Sequence, residues 1–390
     1  MALGAGLQVQ SCMSTLSTNR KTGQFAVTEL NLTFVKRVFT QDVLKDTRRI
    51  LICGGQGDPI YCREMLEIVE YLKAGNPTMS IYIVTNGSYK TKAWWERLAN
   101  TLNDNDVITF SADGWDNESN NKYRVNSHFD SIVLGVKTLS TLRPNMRIIW
   151  SSIIFSFNEN NLDDIKQVAT DAGATHFQVV QSSLFGSNPA FKDYIDSDLG
   201  YDQLEPNLKE IRTSKYAHSD RGMYIPLRKV NVPLGDMQSS SRVGETFAAL
   251  QENHSDVIEN DIIPACVLGE RGLYVDAEGI IYPCSWVSHP FGQRSNGTKT
   301  IKWEKSLWVE HKDKFNLHNH ALHDILEGPY WNKLFNSFKD PAKKFVECSQ
   351  KCHRAATTSR LKNIFKGTRH SNTTSVQQNV ADYRKQKGDV

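Results

Sequence analysis

What the chain lacks narrows its class first. It has no apolar run near the ~18 residues that a membrane helix needs, no internal repeat and no array of coiled-coil heptads. Cysteine is scarce and odd in number, seven in 390 residues. The opening residues MALGAGLQVQSC lack the basic stretch and apolar core of a secretory signal. A disulfide framework is therefore not expected, and metal ligation or redox chemistry in a reducing, cytoplasmic setting is. Strong charge of one sign is also missing, since the net charge is +3. Residues 351–390 hold nine Lys/Arg against two Asp/Glu, which leaves 37 basic and 41 acidic residues in the first 350. The basic character belongs to the tail, 355–390, which reads as a flexible, solvated end. A slightly acidic body predicts no nucleic-acid partner and, without apolar runs, no membrane. With 39% hydrophobic and 23% charged residues the composition is that of a folded chain, not a disordered or collagen-like one.

The first half alternates between two periods. Short apolar runs at 7–10, 50–53, 81–85, 107–111, 147–154 and 176–180 read as strands. Between them, Met65, Ile68, Val69 and Leu72 share one helical face, as do Trp94, Trp95, Leu98 and Leu102. Ile132, Val136 and Leu139 repeat the pattern, and so do Leu162, Ile165, Val168, Ala169 and Ala172. About six β-then-α units predict parallel strands joined by right-handed helical crossovers, in a partial barrel or an open doubly wound sheet. Either architecture places a ligand at the carboxyl ends of its strands. The rhythm stops after Ser182, so 1–228 reads as the α/β unit and 229–260 as a bridge. Residues 261–354 form a small cysteine-bearing module with strand pieces at 272–275 and 280–282 around a Glu278-Gly279 turn. The Trp94-Trp95 pair and Trp286 read as helix-face or core residues ahead of a peptide groove.

Three groups of residues carry chemistry. Cys53-Gly-Gly-Gln-Gly-Asp-Pro59 follows a strand directly. Its glycines, Gly55 and Gly57 among them, let backbone N–H groups approach a ligand closely. Asp58 offers a carboxylate to a ligand ammonium, and Pro59 stiffens the turn. An ordinary Gly-rich turn is the competing reading. Thr85-Asn86-Gly87 and Ser111-Ala-Asp113-Gly114 close the next two strands, and each alone is plain turn chemistry. Three polar turns at consecutive strand ends, where this architecture builds its site, favour Asn86, Ser111 and Asp113 as binding residues. The third group is Cys266, Cys284, Cys348 and Cys352. Four thiolates suit an iron–sulfur cluster or a structural zinc, and the absence of two-residue knuckles favours the cluster.

In this order the motifs resemble the radical SAM superfamily over about residues 7–354. Gly-Asp-Pro after the second strand, Thr-Asn-Gly after the third and Ser-x-Asp-Gly after the fourth carry the resemblance, with a Cys-x12-Gly-x4-Cys stretch and a later Cys-x3-Cys that look like a SPASM or twitch extension. The resemblance implies a partial (β/α)6 barrel with S-adenosylmethionine at its strand ends. Residues 55–59 would hold the methionine amino group, with Asp58 in the acidic role, and Arg124 matches a basic position after the Asp-Gly turn. It further implies an auxiliary [4Fe–4S] cluster on Cys266, Cys284, Cys348 and Cys352.

The chain departs from the family in one place. The catalytic cluster of the family is held by Cys-x3-Cys-x2-Cys after the first strand. The aligned positions are Cys12, Leu16 and Asn19, so one thiolate of three stands; Leu has no donor atom and Asn is a poor ligand for iron. Cys53 and Cys62 lie near the same strand ends as candidate replacements. By resemblance, the activity is reductive cleavage of S-adenosylmethionine and hydrogen abstraction from a peptide, protein or small-molecule substrate, served by a reductase partner. The alternatives are a non-catalytic iron–sulfur or nucleoside-binding partner protein on the same fold, and a zinc-stabilised binding module.

Overall fold

The computed structural model describes residues 7–11, 14–19, 24–53, 58–180, 223–230, 273–283 and 310–337. Their strands form one nine-stranded sheet and a separate two-stranded hairpin of β2 (Ser14–Asn19) and β3 (Gln24–Glu29). Strands β1 (Leu7–Ser11), β4 (Thr47–Ile52), β5 (Ser80–Thr85), β6 (Val107–Ser111), β7 (Arg147–Ile153) and β8 (His176–Val180) lie side by side in that order, all parallel. β9 (Met223–Pro226) closes one edge antiparallel to β8. At the other edge β10 (Leu273–Val275) joins β1 in parallel, and β11 (Ile281–Tyr282) pairs antiparallel with β10. The six strands read from the sequence are present. The strand pieces near Gly279 are too, as a hairpin that extends this same sheet; Gly279 turns it with φ +76°.

Helices connect the parallel strands and cover one face. They are α1 (Leu32–Val38) and α2 (Gln41–Asp46) before β4, α3 (Met65–Gly75), α4 (Lys92–Thr101), α5 (Asn117–Asn121), α6 (Phe129–Leu142) and α7 (Leu162–Asp171). Their apolar stripes are those of the sequence: Ile68, Val69, Leu98, Ile132, Val136, Leu139 and Ile165 are all fully buried. They meet strand residues Ile81, Ile83, Ile108, Phe110, Ile148 and Trp150 in one continuous core. Trp95 packs against Phe110, and Phe129 meets Trp150 edge-on, with ring centres 5.2 and 5.7 Å apart. Strand alternation sends the neighbours of these residues to the opposite face. There Val107 and Ile149 form a small separate apolar cluster with Tyr82. The two faces are therefore unlike: one is sealed by helices, the other mixes apolar and polar side chains.

Local sequence explains the helix starts. Thr91 caps α4 by accepting the Trp94 N–H at 3.3 Å, and Asp116 and Ser119 form a reciprocal capping box on α5. The hairpin region shares the core as well. Tyr274, Val275, Ile280 and Ile281 are buried with Phe315, Leu317, and Leu322 and Ile325 of α8 (Leu322–Glu327). Helix α9 (Pro329–Ser337) follows and contributes Trp331. Among the described residues no helix is long and apolar enough to cross a membrane.

Candidate ligand site at the strand ends

Because β4, β5 and β6 run parallel in register, Cys53, Thr85 and Ser111 come to the same edge of the sheet. Asp58 organises that edge. It caps the 3-10 turn Pro59–Tyr61 by accepting the Ile60 N–H on Oδ1 at 3.0 Å. The Thr85 hydroxyl donates to the same oxygen at 2.6 Å, and the Asn86 N–H donates to Oδ2 at 2.5 Å. A carboxylate has about four acceptor positions, so three are used and one remains. Burial pushes the Asp58 carboxyl above its ordinary value, while the bonds from Thr85, Asn86 and Ile60 pull it down.

Asn86 continues the network. Its side-chain N–H₂ reaches the Tyr61 hydroxyl at 3.4 Å and its Oδ1 accepts the Ser88 N–H at 2.9 Å. Gly87 follows with φ +70°, and a Cβ there would lie 2.7 Å from the Phe110 ring. That turn therefore requires glycine on two grounds. Lys90 stands over the Trp94 ring, 5.2 Å from its centre, and burial holds its ammonium below the usual lysine range. Tyr61 and Tyr89 are exposed beside this edge, 41% and 58%, and the Tyr89 hydroxyl donates to the Asn126 carbonyl. Both Tyr89 and Asn126 adopt positive φ.

Asp113 has a different setting from Asp58. It is fully buried, and its carboxylate accepts the Ile153 N–H at 2.7 Å and faces Arg124 Nε at 2.7 Å. Asn120 Oδ1 accepts the Asp113 and Gly114 amides, and Asn158 donates to the Asp113 carbonyl at 2.7 Å. The Asp-Gly turn is thus clamped to β7 and α5 from three sides. Ser111 is half-buried at the end of β6, opposite Ser151 of β7. Pro59 is buried beneath the turn.

Sequence reading missed Thr85 and Tyr61 as members of this network. Thr85 was legible as part of its Thr-Asn-Gly turn; Tyr61, Asn120 and Asn158 carry no signal beyond a residue type common in turns. Cys12, Gly55, Gly57, Cys266, Cys284, Cys348 and Cys352 lie outside the described residues, as do the bridge 231–260 and the tail 355–390.

The cofactors that the resemblance implies need thiolates near the strand ends. The positions aligned with the missing thiolates, Leu16 and Asn19, lie in β2 (Ser14–Asn19), paired antiparallel with β3 (Gln24–Glu29); Leu16 is opposite Val27 and Asn19 opposite Gln24. Cys62 is 2% exposed, its sulfur lies 3.9 Å from the Leu30 carbonyl, and burial pushes its thiol up to about 11. Without a metal that thiol stays protonated at neutral pH. Cys53 is half-buried at the end of β4. Among the described residues no three His, Cys, Asp or Glu side chains are grouped to hold a metal ion. The described residues therefore do not fit a three-thiolate cluster, whereas the Asp58 edge fits a ligand ammonium.

No family model matches the chain, and no curated protein matches it. Solved structures do. Streptococcus suis SuiB bound to S-adenosylmethionine is 13% identical with a TM-score of 0.46, the match covering 86% of this chain and 66% of SuiB, just under two thirds of its length. The anSMEcpe structure with bound AdoMet is 10% identical with a TM-score of 0.44, covering 98% of this chain and 94% of that one. TYW1 with a lysine-pyruvate adduct is 12% identical with a TM-score of 0.35, covering 57% and 81%.

Proposed function

We propose that the Asp58 edge binds S-adenosylmethionine, in a radical-SAM-type iron–sulfur protein. The observation that carries the reading is the Asp58 carboxylate. It is fixed by Thr85, Asn86 and Ile60 at the carboxyl end of a parallel sheet and has one acceptor position left. An ammonium of the methionine moiety would use that position; Asn86 and Ser111 on the same edge would meet the remainder of the ligand. Cys266, Cys284, Cys348 and Cys352 would hold an auxiliary [4Fe–4S] cluster, and the substrate would be a peptide, protein or small molecule reached in the cytoplasm. A reductase partner belongs to this reading only if a cluster is loaded.

The β2–β3 hairpin favours a second reading. Its paired backbone occupies the stretch in which the family places its second and third thiolates. That supports a non-catalytic relative that retains the ligand edge.

The deciding experiment is calorimetry of the full chain with S-adenosylmethionine, for the wild type and Asp58→Asn, with thermal unfolding of both as a control. A charge-assisted hydrogen bond is worth roughly 1.5–3 kcal/mol, so affinity should fall about tenfold or more. Equal affinities with equal stability would remove the site. Iron and sulfide content after anaerobic reconstitution, compared with Cys284→Ala, tests the auxiliary cluster. Assay of 5′-deoxyadenosine under dithionite separates the two readings.

A further inference from the structure

The sheet face away from the helices carries a second concentration of chemistry, at the amino ends of β7 and β8. Ile148 and Trp150 point into the helix-packed core, so Arg147, Ile149 and Ser151 belong to the other face. The register sets Ile149 beside His176 and Ser151 beside Gln178 on that face. Arg228 hooks in beneath the same strands. The preceding Leu227 N–H bonds the Thr175 carbonyl at 2.9 Å, Arg228 Nε donates to the Gly173 carbonyl at 3.3 Å, and Nη1 donates to the Pro144 carbonyl.

Three features separate this cluster from an ordinary surface patch. Arg147 is only 5% exposed, yet its Nε and Nη1 have no hydrogen-bond partner; Arg228 Nη2 is buried and unpartnered as well. Neither guanidinium has a carboxylate partner among the described residues. Both act on His176, which is 3% exposed with its Nδ1 against the Thr175 hydroxyl at 2.8 Å. A buried cation with open donors is unfavourable unless something pairs with it, and such orphans require a partner such as ordered water, an ion or a ligand. Each open guanidinium N–H can donate a charge-assisted hydrogen bond to an oxygen of a carboxylate or phosphate. On this face Tyr82, Thr109, Ser151 and Gln178 are half-buried, whereas Arg147 and His176 are buried.

We propose that Arg147 and Arg228, with His176 beside them, form a binding site for a small oxyanion, a carboxylate or phosphate group, at the amino ends of β7 and β8. The site is independent of the Asp58 edge. It stands four residues of strand, about 13 Å, below Ser151. Either a free anion or the anionic end of an extended ligand can fill it.

The test uses the full chain in chloride buffer at constant ionic strength, titrated separately with inorganic phosphate, acetate and O-phosphoserine. Thermal unfolding should shift upward and saturate with at least one of them. Preference for inorganic phosphate identifies a free phosphate ion, preference for O-phosphoserine a phosphate on a larger ligand, and preference for acetate a carboxylate. Arg147→Gln and Arg228→Gln should each weaken that response about tenfold or more. No saturable shift in the wild type, or an equal shift in both variants, overturns the site. If the wild type is indifferent to all three anions while Arg147→Met is strongly destabilised, the guanidinium is satisfied from within the chain and the proposal also fails. Should the variants not fold, the wild-type His176 ring signals decide. Bound anion should move their titration upward by about one unit or more, and an unchanged titration rules the anion out.

Discussion

Arg124 Nε lies 2.7 Å from Asp113 Oδ2, and Asp113 has no exposed surface. This pair ties the loop after β6 to α5 and, through the Ile153 amide, to β7. Removing one partner of a buried pair leaves an uncompensated charge and costs about 3–5 kcal/mol. Arg124→Ala should therefore lower the urea midpoint strongly, and Asp113→Asn in the same chain should recover part of the loss. Burial already holds the Asp113 carboxyl above its ordinary value, with Arg124 opposing it. Without Arg124 it rises further, so the native state keeps a proton that the unfolded chain releases. Stability of Arg124→Ala relative to wild type should then improve as pH falls from 7 to 5. A gap that stays constant over that range would show that Asp113 does not carry the effect.

Gly135 of α6 packs directly against the Trp95 indole of α4. A Cβ there would lie 2.6 Å from Trp95 Cε2, within the fully buried indole. The ring is held edge-on to Trp94 and against Phe110, so it cannot yield freely. Helix propensity alone would make Gly→Ala favourable by up to about 1 kcal/mol. Overpacking costs about 1–3 kcal/mol and should win. Gly135→Ala is expected to lower the melting temperature with a changed tryptophan emission. A rise in melting temperature would mean that the helices separate without penalty.

The parallel strands and the stripes of α3, α4, α6 and α7 were legible because burial there follows one local period. Val107–Ser111 and His176–Val180 have the bounds that the apolar runs gave them. The Glu278-Gly279 turn was legible from glycine alone. Other features depend on partners distant in sequence. The attachment of β10 to β1 joins positions more than 260 residues apart, for which no local pattern exists. The hairpin of β2 and β3 was hidden because the stretch reads as a degraded ligand motif instead of alternating hydrophobics. At the candidate site, Asp58 was legible from its glycines and proline. The different settings of Asp58 and Asp113 were not, since both are turn carboxylates in sequence; burial and the direct Arg124 contact of Asp113 separate them in space. Lys73, Asp106 and Arg147 are buried although charged, and their partners or lack of them come from segments distant in sequence.

Lys73 and Asp106 give a second buried pair, at the opposite end of the sheet from Asp58. Lys73 Nζ meets Asp106 Oδ2 at 3.0 Å and the Met79 carbonyl at 2.9 Å. Asp106 also accepts the Ile81 and Asn103 amides, both at 2.7 Å, so it fixes the starts of β5 and β6 to α3. Lys73→Met should cost about 3–5 kcal/mol by stranding the carboxylate. The double change Lys73→Met with Asp106→Asn should cost less than Lys73→Met alone. Equilibrium unfolding of the two variants checks the order, and the reverse order would place the stabilisation in the Asp106 oxygens that accept the Ile81 and Asn103 amides instead of in the pair.

His176 should give stability a distinct acid dependence. Burial first, then the charges of Arg147 and Arg228, lower its folded value to about 4, against about 6.5 when unfolded. Between those values the unfolded chain binds the extra proton. His176 therefore leaves stability intact above about pH 6.5, and stability is lost as pH falls toward 4, by at most about 1.4 kcal/mol per pH unit. Asp276 works in the opposite sense. Burial pushes its carboxyl up to about 6, so the native state gains stability as pH falls through that value. The wild-type slope is the sum of both, and only a difference isolates one group. His176→Gln removes the titration without adding charge. Its stability relative to wild type should rise steadily from pH 7 to 4.5, measured by urea unfolding in chloride buffers free of phosphate, because an anion beside Arg147 would raise the His176 value and flatten the profile. A difference independent of pH would show that the imidazole protonates as freely in the folded chain as in the unfolded one, and that the two guanidinium groups do not act on it.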